Sequence, residues 1–144
     1  MNAAVSAKEG SAEFIRVKGN TTGSHIAGSK SDPYGELDRF PVRIVPIAEH
    51  LAWADFVKLD AEGHEKEIIL ATSPSDWVGK DAMVELSSAE NARAILEFFQ
   101  GSPTRLFSQK TNWGEVTTLE QMPFTHHDGS LFIAGTGRGP WCTP

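Results

Sequence analysis

The chain has 144 residues, of which 40% are hydrophobic and 22% charged, a composition typical of one globular domain rather than a disordered segment. The net charge of -6 argues against a general nucleic-acid binder, because such proteins usually carry a basic face. A single cysteine, Cys142, excludes a disulfide framework within the chain and disfavours a cysteine zinc site. The sequence lacks a bilayer-length apolar run and a signal-peptide pattern, so we expect a cytoplasmic protein with no membrane partner.

The N-terminal third predicts strands around a long polar connection. Residues 12–17 (AEFIRV) alternate loosely in hydrophobicity, which favours a strand. Residues 18–36 are rich in Gly, Ser and Thr and predict a long loop or a loose hairpin. The hydroxyl and amide groups of this segment, including that of Asn20, could bind a polar substrate, although a solvated loop is the simpler interpretation. A short strand at 42–45 and a turn of helix after Pro46 follow.

The rest of the chain alternates strand and helix patterns. The apolar run at 56–59 predicts a strand buried on both faces of a parallel sheet. The further elements predicted in chain order are a helix from residue 64, a strand at 81–87, a helix from Ser87 to Gly101, and strands at 104–110 and 129–137. In the second helix, Ser87 is the expected N-cap and Glu90 stands at capping-box spacing. The pattern predicts an α/β fold with a parallel sheet and a closing antiparallel strand pair.

An acidic turn separates the strand at 56–59 from the first of these helices. Ligands of open α/β sheets bind beyond the carboxyl ends of the strands, where Asp60 and Glu62 are expected. These carboxylates could act as a general base or hold a hydroxyl, an ammonium group or a metal. From spacing alone, helix capping is the better interpretation of both. Gly63 suits a backbone with positive φ, and a histidine such as His64 is more often a solvated surface residue.

Three other features are weaker candidate sites. Glu85 is expected at the buried end of the second strand, where a charge needs a partner, either a structural hydrogen bond or a ligand. The stretch 125–129 (THHDG) predicts a hairpin turn rather than a metal site, because consecutive side chains point to different sides. The glycines at 135–139 (GTGRG) lack the strand–turn–helix context of a dinucleotide fingerprint and predict a tail.

The segment ADFVKLDAEGHEKEIIL, residues 54–70, resembles the hallmark of FkbM-type S-adenosylmethionine-dependent methyltransferases. That hallmark has the form D-[FL]-[IV]-K-[IL]-D-[VA]-E-G-x-E before an apolar helix, and the chain matches it at 55–63 and at Glu65. The stretches NAAVSAKEGSAEF, VRIVPIAEHL and DAMVELSSAENARAILEFF resemble the family's flanking segments. The resemblance covers residues 2–99.

The resemblance implies a Rossmann-like class I methyltransferase fold, S-adenosylmethionine as the cofactor, and O-methylation of a small-molecule or sugar hydroxyl. The residues it implicates are Asp60, Glu62 and Glu65 in catalysis, His64, Gly63 and Glu85 in substrate binding, and Asn2 and Ala3 near the adenine of the cofactor. It leaves the presence of a metal open.

The family's glycine-rich strand–turn–helix has no counterpart in this sequence. We therefore expect the C-terminal portion of the fold, with a hairpin insertion at 1–50 and strands four to seven at 51–144, the first three strands being absent. Such a chain is expected to be inactive alone and to need a partner chain or a homo-oligomer. The alternative is a non-catalytic remnant or binding module that pairs an exposed sheet edge with a partner. A hydrolase using Asp60 and Glu62 has little support, because no nucleophile or metal set accompanies them.

Overall fold

The computed structural model describes residues 3–19, 23–29, 35–125 and 127–140. These residues form a mixed α/β structure, as the sequence predicts at this level, and their strands are arranged in two β-sheets. The strands are β1 (Ala4–Ser6), β2 (Gly10–Val17), β3 (His25–Ile26), β4 (Leu37–Pro46), β5 (Phe56–Leu59), β6 (Asp81–Glu85), β7 (Arg105–Ser108), β8 (Gly114–Glu115) and β9 (Ser130–Ala134). The helices are α1 (Ile47–Leu51), α2 (Glu65–Leu70) and α3 (Ala89–Phe99).

The first sheet is built on a long antiparallel pair. Its strand order is β1-β4-β2-β3, and the β2–β4 ladder runs from Gly10↔Ile44 to Val17↔Leu37. The loose hairpin expected after β2 therefore contains a third strand, β3, which pairs with the middle of β2. β4 is longer than predicted and includes Pro41, which lies where the strand is paired with β2 alone and a missing N–H is tolerated.

The second sheet carries the predicted parallel pair and antiparallel closing strands. Its order is β5-β6-β9-β7-β8, with β5 parallel to β6, and β9 antiparallel to both β6 and β7. The expectation that β5 is buried on both faces is wrong. β5 is an edge strand with no neighbour on its outer side among the described residues, and Phe56 is 54% exposed while Leu59 is 7% exposed.

Helices α2 and α3 pack together against one face of the second sheet and enclose the main core. Trp77 belongs to this core, is fully buried, and forms a T-shaped ring contact with Phe99. The N-cap of α3 is Ser88, one residue later than predicted, and its hydroxyl accepts a hydrogen bond from the Asn91 backbone N–H at 3.1 Å. None of the helices in the described part of the chain has the length and hydropathy of a membrane span.

Candidate functional site

The acidic turn between β5 and α2 has an unusual backbone. Two consecutive residues of this turn have positive φ angles: 53° at Glu62 and 103° at Gly63. A Cβ atom on Gly63 would lie 2.5 Å from the backbone oxygen of Ser29, which explains why glycine is required there. The left-handed conformation of Glu62 costs about 1–3 kcal/mol and persists only where the surroundings hold it.

The Glu65 carboxylate is one of the groups that hold the turn. Glu65 is 1% exposed, and its Oε1 accepts the Ala61 N–H at 2.9 Å and the Gly63 N–H at 3.1 Å. Its Oε2 accepts from Asn91 Nδ2 at 3.3 Å, and the same amide donates to the Gly63 carbonyl at 3.2 Å. Glu65, which the resemblance implicates in catalysis, therefore serves as a clamp that positions the turn.

His64 fastens the turn to the first sheet. Its Nε2 lies 2.8 Å from the Ser6 hydroxyl, and its Nδ1 lies 3.3 Å from the Ser29 hydroxyl. The side chain is only 17% exposed, so the expectation of a solvated surface histidine is wrong. Both ring nitrogens already have hydroxyl partners, and a ligand would have to compete with a serine for either of them.

Four of the predicted site residues line a cavity of about 330 Å³. Asp60, Glu62 and Glu85 lie at the carboxyl ends of β5 and β6, and the buried Glu65 contributes from α2. The lining also includes polar side chains that the sequence did not predict as site residues, namely Ser87, Gln109 and Ser130. The cavity thus lies at the edge of the sheet where α/β proteins bind ligands. Its volume is within the range of small-molecule sites.

Lys58 moderates the negative charge of this cavity. Its Nζ lies 2.7 Å from a Glu85 carboxylate oxygen and 3.8 Å from an Asp60 carboxylate oxygen. The expectation that Glu85 lies at a buried strand end is wrong, because its side chain is 52% exposed. Its partner is nevertheless a structural one, supplied by the neighbouring parallel strand. Pairs with this exposure contribute little to stability, so the ion pair mainly sets the local charge.

A second cavity of about 320 Å³ lies on the first-sheet side of the turn. It is lined by β1–β3 residues together with Leu59, and Asp60 and Glu62 contribute to its lining as well. The acidic turn therefore lies between a cavity lined mainly by polar and charged residues and one with mostly apolar walls. The sequence did not predict this second cavity, because it depends on how the first sheet packs against β5.

The remaining predicted site residues are Asn2, Ala3 and Asn20. Asn2 and Asn20 lie outside the described residues, and Ala3 is half-buried just before β1. Within the described ranges, no group of three or more His, Cys, Asp or Glu residues is arranged to hold a metal ion.

No family model, curated protein or solved structure matches this chain. The similarity to FkbM-type methyltransferases is therefore only the sequence resemblance of the segment 55–65 and its flanking stretches.

Proposed function

We propose that this chain forms the acceptor side of an FkbM-type S-adenosylmethionine-dependent methyltransferase that acts on a small-molecule or sugar hydroxyl. The observation that carries the proposal is the position of Asp60 and Glu62, which line a cavity at the carboxyl ends of the parallel strands β5 and β6. The hallmark segment forms a strand, an acidic turn and a helix, the local structure that the resemblance implies.

The second sheet also supports the proposal. Its two adjacent parallel strands and the antiparallel closing pair agree with the pattern that the sequence predicts, and the resemblance implies that these are strands four to seven of a Rossmann-like class I fold. The described residues do not fit the methionine end of the cofactor, because they include no glycine-rich turn that opens a helix. The stretch 135–139 follows β9 and leads into no helix within the described ranges. The cofactor cradle would therefore come from a further segment or a partner chain.

Asp60 is the residue of this chain best placed to act on an acceptor hydroxyl. Methylation of a hydroxyl requires a group that orients the O–H and takes up its proton as the new bond forms. The Asp60 carboxylate lines the cavity and is 47% exposed, so an acceptor can reach it. Glu62 and Glu85 would hold further hydroxyl or amine groups of the acceptor, and Glu65 would keep the turn in place.

Replacement of Asp60 by Asn tests this role in a complex that contains the cofactor-binding half. We expect kcat to fall about 10²–10⁴-fold, the usual contribution of a general base, with little change in KM. Glu49→Gln, an exposed carboxylate on α1, is the control and should retain wild-type turnover. Normal kcat and KM for the Asp60 variant would reject the base assignment.

Calorimetry on the chain alone tests where the cofactor is bound. We expect no measurable binding of S-adenosylmethionine, since the described residues lack its glycine-rich cradle. Micromolar affinity would show that this chain contains the cofactor site and would overturn the division into two halves.

The exposed edge of β5 favours a second candidate, a non-catalytic binding module. Phe56 on this edge is 54% exposed and nearby Trp53 is 74% exposed, and β5 has no strand neighbour on its outer side among the described residues. If the edge pairs with a second copy, sedimentation should detect association at rising concentration, and Phe56→Lys should abolish it. A monomer at all concentrations, with rapid amide exchange in β5, would reject self-pairing.

A further inference from the structure

A third cavity, of about 410 Å³, adjoins the cavity of about 330 Å³ that contains Asp60 and that we call the acceptor cavity. Ser87 lines both of them. This residue follows β6, is exposed, and has its hydroxyl oxygen 3.9 Å from where a Cβ atom on Gly63 would lie. No described residue forms a hydrogen bond with this hydroxyl. The two cavities therefore meet at a small side chain whose hydroxyl is available to a ligand.

The walls of the third cavity are almost entirely polar. Apart from one alanine and two glycines, every residue that lines it has a polar or charged side chain. Its lysine, Lys66, is held by carboxylates, since Nζ lies 2.6 Å from an oxygen of Glu90 and 3.6 Å from one of Glu67. An apolar ligand would leave these groups without hydrogen-bond partners, whereas hydroxyl groups can both donate to them and accept from them.

The acceptor cavity offers both kinds of hydrogen-bonding group as well. The carboxylates of Asp60, Glu62 and Glu85 accept hydrogen bonds, and their negative charge disfavours an anionic ligand. Gln109 supplies a donor, because its Oε1 accepts the Ser130 backbone N–H at 2.9 Å and the NH₂ group of the amide is left for a ligand. Both cavities thus suit a neutral ligand that carries many hydroxyl groups.

We propose that the two cavities are adjacent subsites for a neutral oligosaccharide. The sugar unit that bears the reacting hydroxyl lies in the acceptor cavity beside Asp60, and the next unit lies in the third cavity, with Ser87 at the junction. Each cavity has the volume of a small-molecule site, and a monosaccharide would leave the polar groups of one of them to water. The inference narrows the acceptor class of the proposed methyltransferase and rests on that function for the position of the reacting hydroxyl.

Titration of the wild-type chain with sugars tests the two subsites. The probes are hexoses, deoxyhexoses, pentoses and N-acetylhexosamines, each as the monosaccharide and as its disaccharides with different linkages. For at least one pair we expect the disaccharide to bind at least about 10-fold more tightly, because the second unit forms further hydrogen bonds in the third cavity. In NMR spectra it should shift the backbone amides of both Ser130 and Ser29, which line different cavities. If no disaccharide binds more tightly than its monosaccharide, or if the shifts stay within one cavity, the assignment is wrong.

Ala27→Trp places a large side chain in the wall of the third cavity and leaves the acceptor cavity unaltered, since Ala27 is exposed and lines only the third cavity of the two. We expect the disaccharide to lose its advantage and the monosaccharide to bind as before. Ala71→Trp, at an exposed position that lines neither cavity, is the matched control and should leave both affinities unchanged. Unchanged disaccharide affinity in the Ala27 variant would reject the third cavity as a subsite. The wild-type titration and its amide shifts decide the question if that variant does not fold.

A complex that contains the cofactor-binding half separates this inference from the proposed function. Tighter disaccharide binding without methyl transfer supports the two subsites and counts against the methyltransferase. Methyl transfer with the same kcat/KM for the monosaccharide and the disaccharide refutes the third cavity as a subsite and leaves the proposed function standing.

Discussion

The contacts of the Glu65 clamp allow us to predict the stability of the variant Glu65→Gln. The buried carboxylate accepts hydrogen bonds from the backbone N–H groups of Ala61 and Gly63 and from the Asn91 amide. Glutamine keeps one acceptor oxygen for the two N–H groups. It places an NH₂ group where Oε2 was, so the bond from Asn91 is lost and two donors face each other.

The expected cost follows from these contacts. Two charge-assisted hydrogen bonds become neutral, a loss of about 1 kcal/mol each, and a third bond worth about 1 kcal/mol is lost. Removal of a buried charge recovers part of its desolvation cost. We therefore expect the free energy of unfolding to fall by about 1–3 kcal/mol. Glu67→Gln, on the same helix but 43% exposed, should change it by less than about 0.5 kcal/mol.

Urea unfolding followed by tryptophan fluorescence and circular dichroism measures both variants, since coincident curves establish a two-state transition. Trp77, fully buried in the core, is a suitable reporter. A double-mutant cycle with Asn91→Ala then isolates the contact with Glu65, and we expect the two substitutions to be non-additive. A Glu65 variant as stable as the wild type, with additive effects in the cycle, would refute the clamp.

Two further substitutions test the backbone conformation of the turn and the loss of folding stability at acid pH. Gly63→Ala should cost clearly more than Gly79→Ala in urea unfolding, because both have positive φ but only Gly63 would bring its Cβ against a backbone oxygen. Equal costs would show that this contact relaxes freely. Hydrogen bonds from the Phe124 backbone N–H and from Thr125 lower the pKa of Asp128. The stability this provides is present above the unfolded pKa of about 3.9 and is lost as the pH falls through the lower folded value. Thermal denaturation should therefore separate wild type from Asp128→Asn near neutral pH and bring them together in strong acid; a constant difference would contradict the assignment.

The local sequence was sufficient for the elements that surround the site. An apolar run followed by Gly63 and good helix formers predicted the strand, turn and helix at 56–70. The spacing of Ala92, Ile95, Leu96 and Phe99 indicates one apolar face of α3, on which Leu96 is partly buried and the others are buried. These signals concern residues close in sequence, whose spacing reflects the period of a strand or helix. The methyltransferase function remains a prediction, because it depends on a resemblance that no comparison tests.

Contacts between distant segments decided the rest of the site. Lys58 meets Glu85 across parallel strands, and the Asn91 amide reaches Glu65 and Gly63 from another helix. Each contact joins residues about 26–28 positions apart, a separation at which periodicity carries no information. The sequence alone determined that an acidic turn follows a strand. Only the packing of β5, the first sheet and α3 around that turn decided that it lies between two cavities and which of its carboxylates is buried as a clamp.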